Sequence, residues 1–231
     1  MKTLDLYASI EQYLEFEDEV KILYNAIENI VLEKKPKTLI DIGCGQGEFC
    51  KIMTNHNIKT LGVDLSAKQI EIASKRDIDV KCIDIKDITS KYDCATAVFD
   101  VINYLPKDYI KSFLSYTYNL LNKDGYFIFD INSLYGFDVV AQGTLNIDKG
   151  DKFIAIDGIF ENDTLYTSIT LFSKDNSCYN KQQGTIEQYF YSPDDLKKIC
   201  ESVGFKIEEI KEFQLHEEFE ADDKYIFICK K

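Results

Sequence analysis

The chain has no tryptophan, three prolines, two histidines and a single arginine, Arg76, among its 231 residues. Phosphate backbones are gripped by clustered lysine and arginine. With one arginine, scattered lysines and a formal net charge of −13, no nucleic-acid partner is expected. The seven cysteines (Cys44, Cys50, Cys82, Cys94, Cys178, Cys200 and Cys229) contain no Cys-x-x-Cys pair, and only His56 and His216 could assist them, so no metal site is expected. Most of these cysteines sit in apolar stretches and read as small buried residues in a reducing compartment. No apolar run reaches the ~20 residues that a membrane span needs, and the acidic residues 1–19 lack a signal-peptide core. The expectation is a cytoplasmic protein with no membrane partner.

What is present is a globular composition, with 45% hydrophobic and 29% charged residues, at a length that fits one domain or a core with an insertion. Apolar positions from Ile10 to Val31 follow a helical stripe over residues 10–33, which Pro36 stops. Strands and helices then alternate. Strands are expected over 38–42, 59–64, 80–84, 94–99 and 126–131. Helices are expected over 48–55, over 67–75 behind a Ser66 cap, and from Pro106 to the turn at Asn122–Gly125. Such alternation argues for a parallel sheet covered on both faces. From Tyr135 to Tyr191 the pattern changes to segments 152–160, 164–172 and 184–191, separated by polar turns. Leu165, Ile169 and Leu171 share one parity, as in an antiparallel strand with one dry face. Ser192-Pro193-Asp194-Asp195 opens a further helix ending at Gly204, and strands 205–210 and 225–229 close the chain.

The chemical signal lies at the end of the first strand, Leu39-Ile40-Asp41-Ile42-Gly43-Cys44-Gly45-Gln46-Gly47-Glu48. Glycines there let the backbone turn tightly and approach a ligand. A dinucleotide site wants G-x-G-x-x-G with pyrophosphate over the helix start, but position 48 is a glutamate, whose carboxylate would face that pyrophosphate. Asp64 and Asp84 follow at the ends of the second and third strands. A strand-end carboxylate can take both hydroxyls of a ribose, or simply cap a turn.

These stretches resemble the motifs of class I S-adenosylmethionine-dependent methyltransferases over residues 36–134 and 192–231. The resemblance implies a Rossmann-like α/β fold: a mostly parallel seven-stranded sheet with helices on both faces and an antiparallel β insertion after strand five. It implies S-adenosyl-L-methionine as cofactor. The loop Gly43, Cys44, Gly45, Gly47 would pass its amino-acid end, with Asp41 organising the loop and the ammonium. Asp64 would hold the ribose, Leu65 and Ile85 would flank the adenine, and Asp84 would lie near its amino group. Phe99-Asp100-Val101-Ile102-Asn103-Tyr104-Leu105 resembles the family's fourth motif, with the Phe99 carbonyl at the methionine moiety. Residues 1–35 are similar to an N-terminal helical cover, from which Tyr13 would reach the cofactor.

The cofactor carries the activation in such chemistry, so few catalytic groups are required. Base amino methylation often uses a Pro-Pro-Tyr signature and cytosine C5 methylation a Pro-Cys nucleophile. Here Pro36, Pro106 and Pro193 are isolated and none precedes a cysteine. Asp130 and Asn132 are split by Ile131, which does not fit metal-assisted catechol-type transfer. Candidates to orient a substrate are Asn103, Tyr104, Asn132 and Tyr135, which follow strands four and five at the edge where open α/β sheets bind ligands. Each could equally cap a turn or fill the core. His216 could act as a base or lie solvated in its acidic loop. Residues 135–191 are expected to form a β lid over that edge, which suits a small polar molecule. The stretch from Ile186 to Leu196 is similar to the re-entry segment of sugar and small-amine methyltransferases. Homodimer formation through the inserted strands stays open as an alternative. So do a protein or RNA substrate and a non-catalytic S-adenosylmethionine-binding role, because substrate identity is not written in the cofactor motifs.

Overall fold

The computed structural model describes residues 3–216 and 219–231. Its main sheet has seven strands in the order β10-β11-β5-β4-β1-β2-β3. These are β1 (Thr38–Ile42), β2 (Lys59–Asp64), β3 (Asp79–Cys82), β4 (Tyr92–Ala97), β5 (Leu121–Asn132), β10 (Lys206–Phe213) and β11 (Lys224–Lys230). The first five run parallel, and β11 is antiparallel to both β5 and β10. The carboxyl ends of β1, β2, β4, β5 and β10 therefore share one edge. The amino end of β11 joins them there, since Lys224 pairs with Asn132 and with Phe213.

Strand alternation sorts side chains into two cores. Ile40, Ile42, Phe127, Phe129 and Phe227 face α5 (Ile110–Leu120) and α6 (Pro193–Val203). Leu39, Cys94, Ile128, Ile226 and Ile228 face α2 (Glu17–Lys34) and α3 (Glu48–Asn55). Helices thus cover both faces, as the near-continuous apolar strands require. Each fully buried α2 anchor, Leu23, Ile27 and Val31, contributes about 1.5–3 kcal/mol by leaving water.

Local signals act as expected. The Ser66 hydroxyl accepts the Gln69 N–H at the start of α4 (Ala67–Ala73), and Ser192 caps α6 with Pro193 in its first turn and Gly204 ending it at φ +118°. Three expectations are corrected. The single helix over 10–33 is two, α1 (Thr3–Ile10) and α2, broken where Glu15 adopts φ +59°; the apolar stripe continues across the break because both helices bury it, on different partners. The helix expected from Pro106 begins at Ile110. The turn expected at residues 122–125 is a bulge within β5, with Asp124 at φ +62° and the register to β4 shifting there.

The insertion is a four-stranded antiparallel sheet in the order β6-β7-β8-β9: β6 (Gly143–Asp148), β7 (Lys152–Glu161), β8 (Thr164–Asp175) and β9 (Cys178–Tyr189). Strand β6 was missed because its residues are mostly exposed and carry no dry-face alternation. Asn162 and Asp163 both have positive φ, the geometry of a two-residue hairpin turn. Leu165, Ile169 and Leu171 do form the dry face. With Ile154 and Ile186 they bury Leu6, Ile10 and Leu14 of α1 and its continuation. Helix α1 lies so close to β9 that a Cβ on Gly184 would meet the Thr3 side chain at 2.8 Å.

Candidate active site

The glycine loop is held from both sides. Gly43 and Cys44 donate their N–H groups to the Val63 carbonyl, at 2.8 and 3.1 Å, which locks the turn to β2. Gly43, Gly45 and Gly47 all have positive φ (71°, 51° and 78°). A Cβ on Gly43 would meet Val101 at 2.7 Å and one on Gly47 would meet Ile78 at 2.4 Å, whereas one on Gly45 would have only Gln69 Nε2, at 4.0 Å. Two glycines are therefore needed for packing, and Gly45 leaves backbone open to an approaching ligand.

Asp64, at the end of β2, accepts the Gly45 N–H (3.0 Å) and the Ser66 N–H (2.7 Å). Burial pushes its carboxyl up against those hydrogen bonds. Asp41 sits below the loop, 2% exposed. It accepts from Thr96 Oγ1 (2.7 Å) and from the Cys50 thiol (3.4 Å). Its environment is dry, and burial pushes its pKa up to about 7. Asp84 lies beyond β3, capping the Ile85–Asp87 turn through the Lys86 N–H and pairing with the Lys86 ammonium at 3.1 Å. Leu65 is 56% exposed and Ile85 is buried in the core.

The end of β4 is strained. Phe99 and Asp100, neither a glycine, have φ of +64° and +50°. Their N–H groups are both accepted by the Asp130 carboxylate, at 2.6 and 3.0 Å. Left-handed conformations of this kind cost of order 1–3 kcal/mol each and persist where the surroundings impose them. The Tyr24 ring packs edge-on against Phe99 (5.5 Å) and tilted on Phe49 (5.3 Å).

Helix α1 and the turn after it, Glu11–Tyr13, cover the edge. Glu11 accepts from Gln46 of the glycine loop (2.9 Å) and from Gln69 of α4 (2.8 Å), while Asp5 accepts from Ser66 Oγ (2.6 Å). Tyr7 and Tyr104 pack against the core that α1 shares with the inserted sheet. Burial raises both phenol pKa values well above the ordinary range, and the Asp100 and Glu11 carboxylates raise them further. Both stay protonated donors near neutrality.

Residues 21–210 match the family model described as a methyltransferase domain. The chain belongs to the methyltransferase-domain family. It is an S-adenosylmethionine-dependent methyltransferase of class I. A protein of Geobacillus sp. (strain WCH70), provisionally named a methyltransferase, is 26% identical over 209 residues, 84% of this chain and 85% of that protein. An S-adenosylmethionine-dependent methyltransferase from Clostridium acetobutylicum superposes with a TM-score of 0.78 at 22% identity, over 99% of this chain and 97% of that one. The amino pentose methyltransferase CalS10 from Micromonospora echinaspora, solved with the cofactor bound, gives 0.75 at 11% identity over 98% and 97%. At these identities the structural likeness is one of fold.

The methyltransferase site fits its cofactor chemically. Asp41 and Asp64 lie at the carboxyl ends of β1 and β2, with Asp84 two residues beyond β3, and acidic groups on this edge suit an ammonium and a sulfonium as they would not suit a diphosphate. The substrate-side candidates are placed differently from one another. Asn103 is fully buried and has both ends engaged: Nδ2 donates to the Tyr189 carbonyl and Oδ1 accepts the Asn132 N–H, each at 2.9 Å. It ties the strand ends to the inserted sheet. The Asn132 side chain accepts from Lys224 at 2.8 Å. Tyr135 accepts the Glu220 N–H (3.3 Å) and stacks edge-on with Phe219. Tyr13 accepts from Lys152 of β7 at 2.6 Å, which ties it to the insertion. His216 is paired through Nδ1 with Asp223. Sequence reasoning missed Tyr24, Tyr7's neighbour Glu11, and the buried Lys224. The only available signal for Lys224 was a lysine at the start of an otherwise apolar strand.

Proposed function

We propose that this methyltransferase transfers a methyl group to an oxygen or nitrogen of a small polar metabolite, with a sugar or nucleotide-linked sugar as the substrate class. The observation that carries this reading is the roof. Helix α1 is packed on one side against the inserted sheet and hydrogen-bonded on the other to Ser66, and Glu11 just after it accepts from Gln46 and Gln69. A covered edge favours a small molecule over a polymer and helps to exclude bulk water. The solved amino pentose methyltransferase shares the fold over nearly the whole chain, which supports the sugar class.

The roles proposed for the residues are these. S-adenosylmethionine supplies an activated methyl group on a sulfonium. Gly43, Cys44, Gly45 and Gly47 present backbone to its amino-acid end, with Asp41 beneath them. Asp64 is turned toward the loop and takes the ribose hydroxyls on the lone pairs that its two backbone partners leave open. Exposed Leu65 flanks the adenine, with Ile85 behind it and Asp84 at its amino group. The Phe99 carbonyl, aimed by the left-handed turn, meets the methionine moiety. Tyr104, Asn132 and Tyr135 line the acceptor side and orient its nucleophile, Asn103 positions Asn132, and Tyr13 steadies the cover. Residues 36–134 and 192–231 act as the core, 1–35 as the cover and 135–191 as the lid. Its free thiols suit a cytoplasmic setting.

A thermal-shift screen with S-adenosylmethionine, S-adenosylhomocysteine and NAD, followed by methyl-transfer assays on a metabolite panel, tests this. S-adenosylhomocysteine at ~100 times its dissociation constant should add about 2.7 kcal/mol. Stabilisation by NAD alone would sink the site, and transfer only to RNA, protein or no acceptor would sink the substrate class.

A further inference from the structure

We propose that Lys224 is a positioning residue for methyl transfer, its ammonium holding the Asp130 and Asp100 carboxylates that fix the left-handed Phe99–Asp100 turn at the floor of the site. Lys224 opens β11 and is 3% exposed. Its three donors reach three oxygens on separate side chains: Asp130 Oδ2 at 2.8 Å, Asn132 Oδ1 at 2.8 Å and Asp100 Oδ1 at 3.0 Å. An ammonium has three N–H groups and no acceptor, so it is fully used by these contacts. The ammonium also lies 5.8 Å from the centre of the Phe99 ring.

The network joins the turn after β4, the end of β5 and the inserted sheet. Asp130, fully buried, spends both oxygens on the N–H groups of Phe99 and Asp100. The second oxygen of Asp100 accepts from Gln188 of β9, which anchors the inserted sheet. Lys224 thus couples the strained turn, the end of β5 and the roof. A buried ion pair is a weak source of stability compared with apolar packing. A trio of two carboxylates and one ammonium therefore points to a geometric requirement, here the direction of the Phe99 carbonyl and the Asp100 side chain.

The charged groups facing Asp130 are Lys224 of β11 and Asp100 of the turn; Asn132 and Gln188 complete the network as neutral partners. Burial raises the Asp130 pKa, Lys224 opposes that rise and Asp100 adds to it. Without the ammonium, Asp130 would sit dry beside a like charge and take up a proton. A protonated carboxyl turns one of its two oxygens into a hydroxyl, a weaker acceptor, so one of the two backbone N–H groups loses its charged partner. The turn would then relax toward ordinary φ values.

The proposal rests on the assignment of the Phe99 carbonyl to the methionine end of the cofactor. The test is calorimetric affinity for S-adenosylhomocysteine across pH 6 to 9 for the wild type, Lys224→Met, Lys224→Arg and Asp130→Asn. Lys224→Met should bind about tenfold or more weakly at pH 7, with the ratio to wild type closing as pH rises and Asp130 ionises. Lys224→Arg should keep the wild-type pH profile, and Asp130→Asn should bind weakly at every pH. Wild-type affinity in Lys224→Met at pH 7, or a loss equal at all pH values, overturns the proposal. Where Lys224→Met does not fold, Asp130→Asn decides, and undiminished binding in it is equally fatal. Wild-type protein that binds no S-adenosylhomocysteine would instead refute the cofactor site, and the proposal with it.

Discussion

Asp41 should make the ligand-free fold lose stability as pH rises toward neutrality. Its carboxyl is 2% exposed and faces Thr96 and Cys50, with no cation among the causes of its shift. Burial raises its pKa from 3.8 to about 7. A raised acid binds its proton more tightly when folded, so the stabilisation is fully present below the unfolded pKa and disappears as pH passes the folded one. From pH 5 to pH 7 that is two pH units at about 1.36 kcal/mol each, or about 2.7 kcal/mol. Asp64 and Asp130 are also raised and overlap this range, so the quantity to measure is the difference from Asp41→Asn. Asparagine stays neutral and keeps an oxygen for Thr96. Denaturant unfolding of both proteins at pH 5, 6, 7 and 8 should show the asparagine variant gaining on the wild type by roughly 2–3 kcal/mol between pH 5 and pH 8. A saturating cationic cofactor should shrink that gain by favouring the carboxylate. Parallel stability curves for the two ligand-free proteins would refute the reasoning.

Asp64→Ala should weaken S-adenosylhomocysteine binding far more than Asp87→Ala, because each charge-assisted hydrogen bond to ribose is worth about 1.5–3 kcal/mol and Asp87 is exposed beyond β3; equal affinities by calorimetry would remove Asp64 from the site. Gly47→Ala should destabilise the fold by at least about 1–2 kcal/mol from its left-handed backbone alone, and more from the 2.4 Å approach to Ile78. Gly45→Ala should cost only the backbone term yet reduce cofactor affinity, since its Cβ meets the protein no closer than 4.0 Å; melting temperatures and affinities that rank the two alike would contradict that division. Asn103→Ala should lower stability by about 1–3 kcal/mol by leaving the Asn132 N–H and the Tyr189 carbonyl unmet, read by denaturant unfolding, and an unchanged midpoint would mean that the tie to the insertion carries no load.

The sequence by itself determined the class of fold and the cofactor loop, because both are written locally. Strand and helix periods, the Ser66 and Ser192 caps, the Gly204 stop and the turn from Gly43 to Gly47 each depend on neighbours a few residues away. Element boundaries at 38–42, 48–55 and 59–64 match those of β1, α3 and β2 for that reason. The break at Glu15 was not legible, since an apolar stripe of one period serves two helices as readily as one. Strand β6 was not legible, since an exposed edge strand needs no dry face. Only the tertiary structure decided which polar groups meet. Asn103 read equally as a substrate contact, a turn cap or a core residue, and the inserted sheet delivers the Tyr189 carbonyl to it. His216 looked solvated, but the fold returns Asp223 to its ring. Lys224 shows locally only as a lysine opening an apolar strand, because the oxygens that hold it come from the turn after β4 and from the end of β5. Such partners are brought together only by closure of the sheet, and a buried charge is permitted only where that closure supplies its counter-charges.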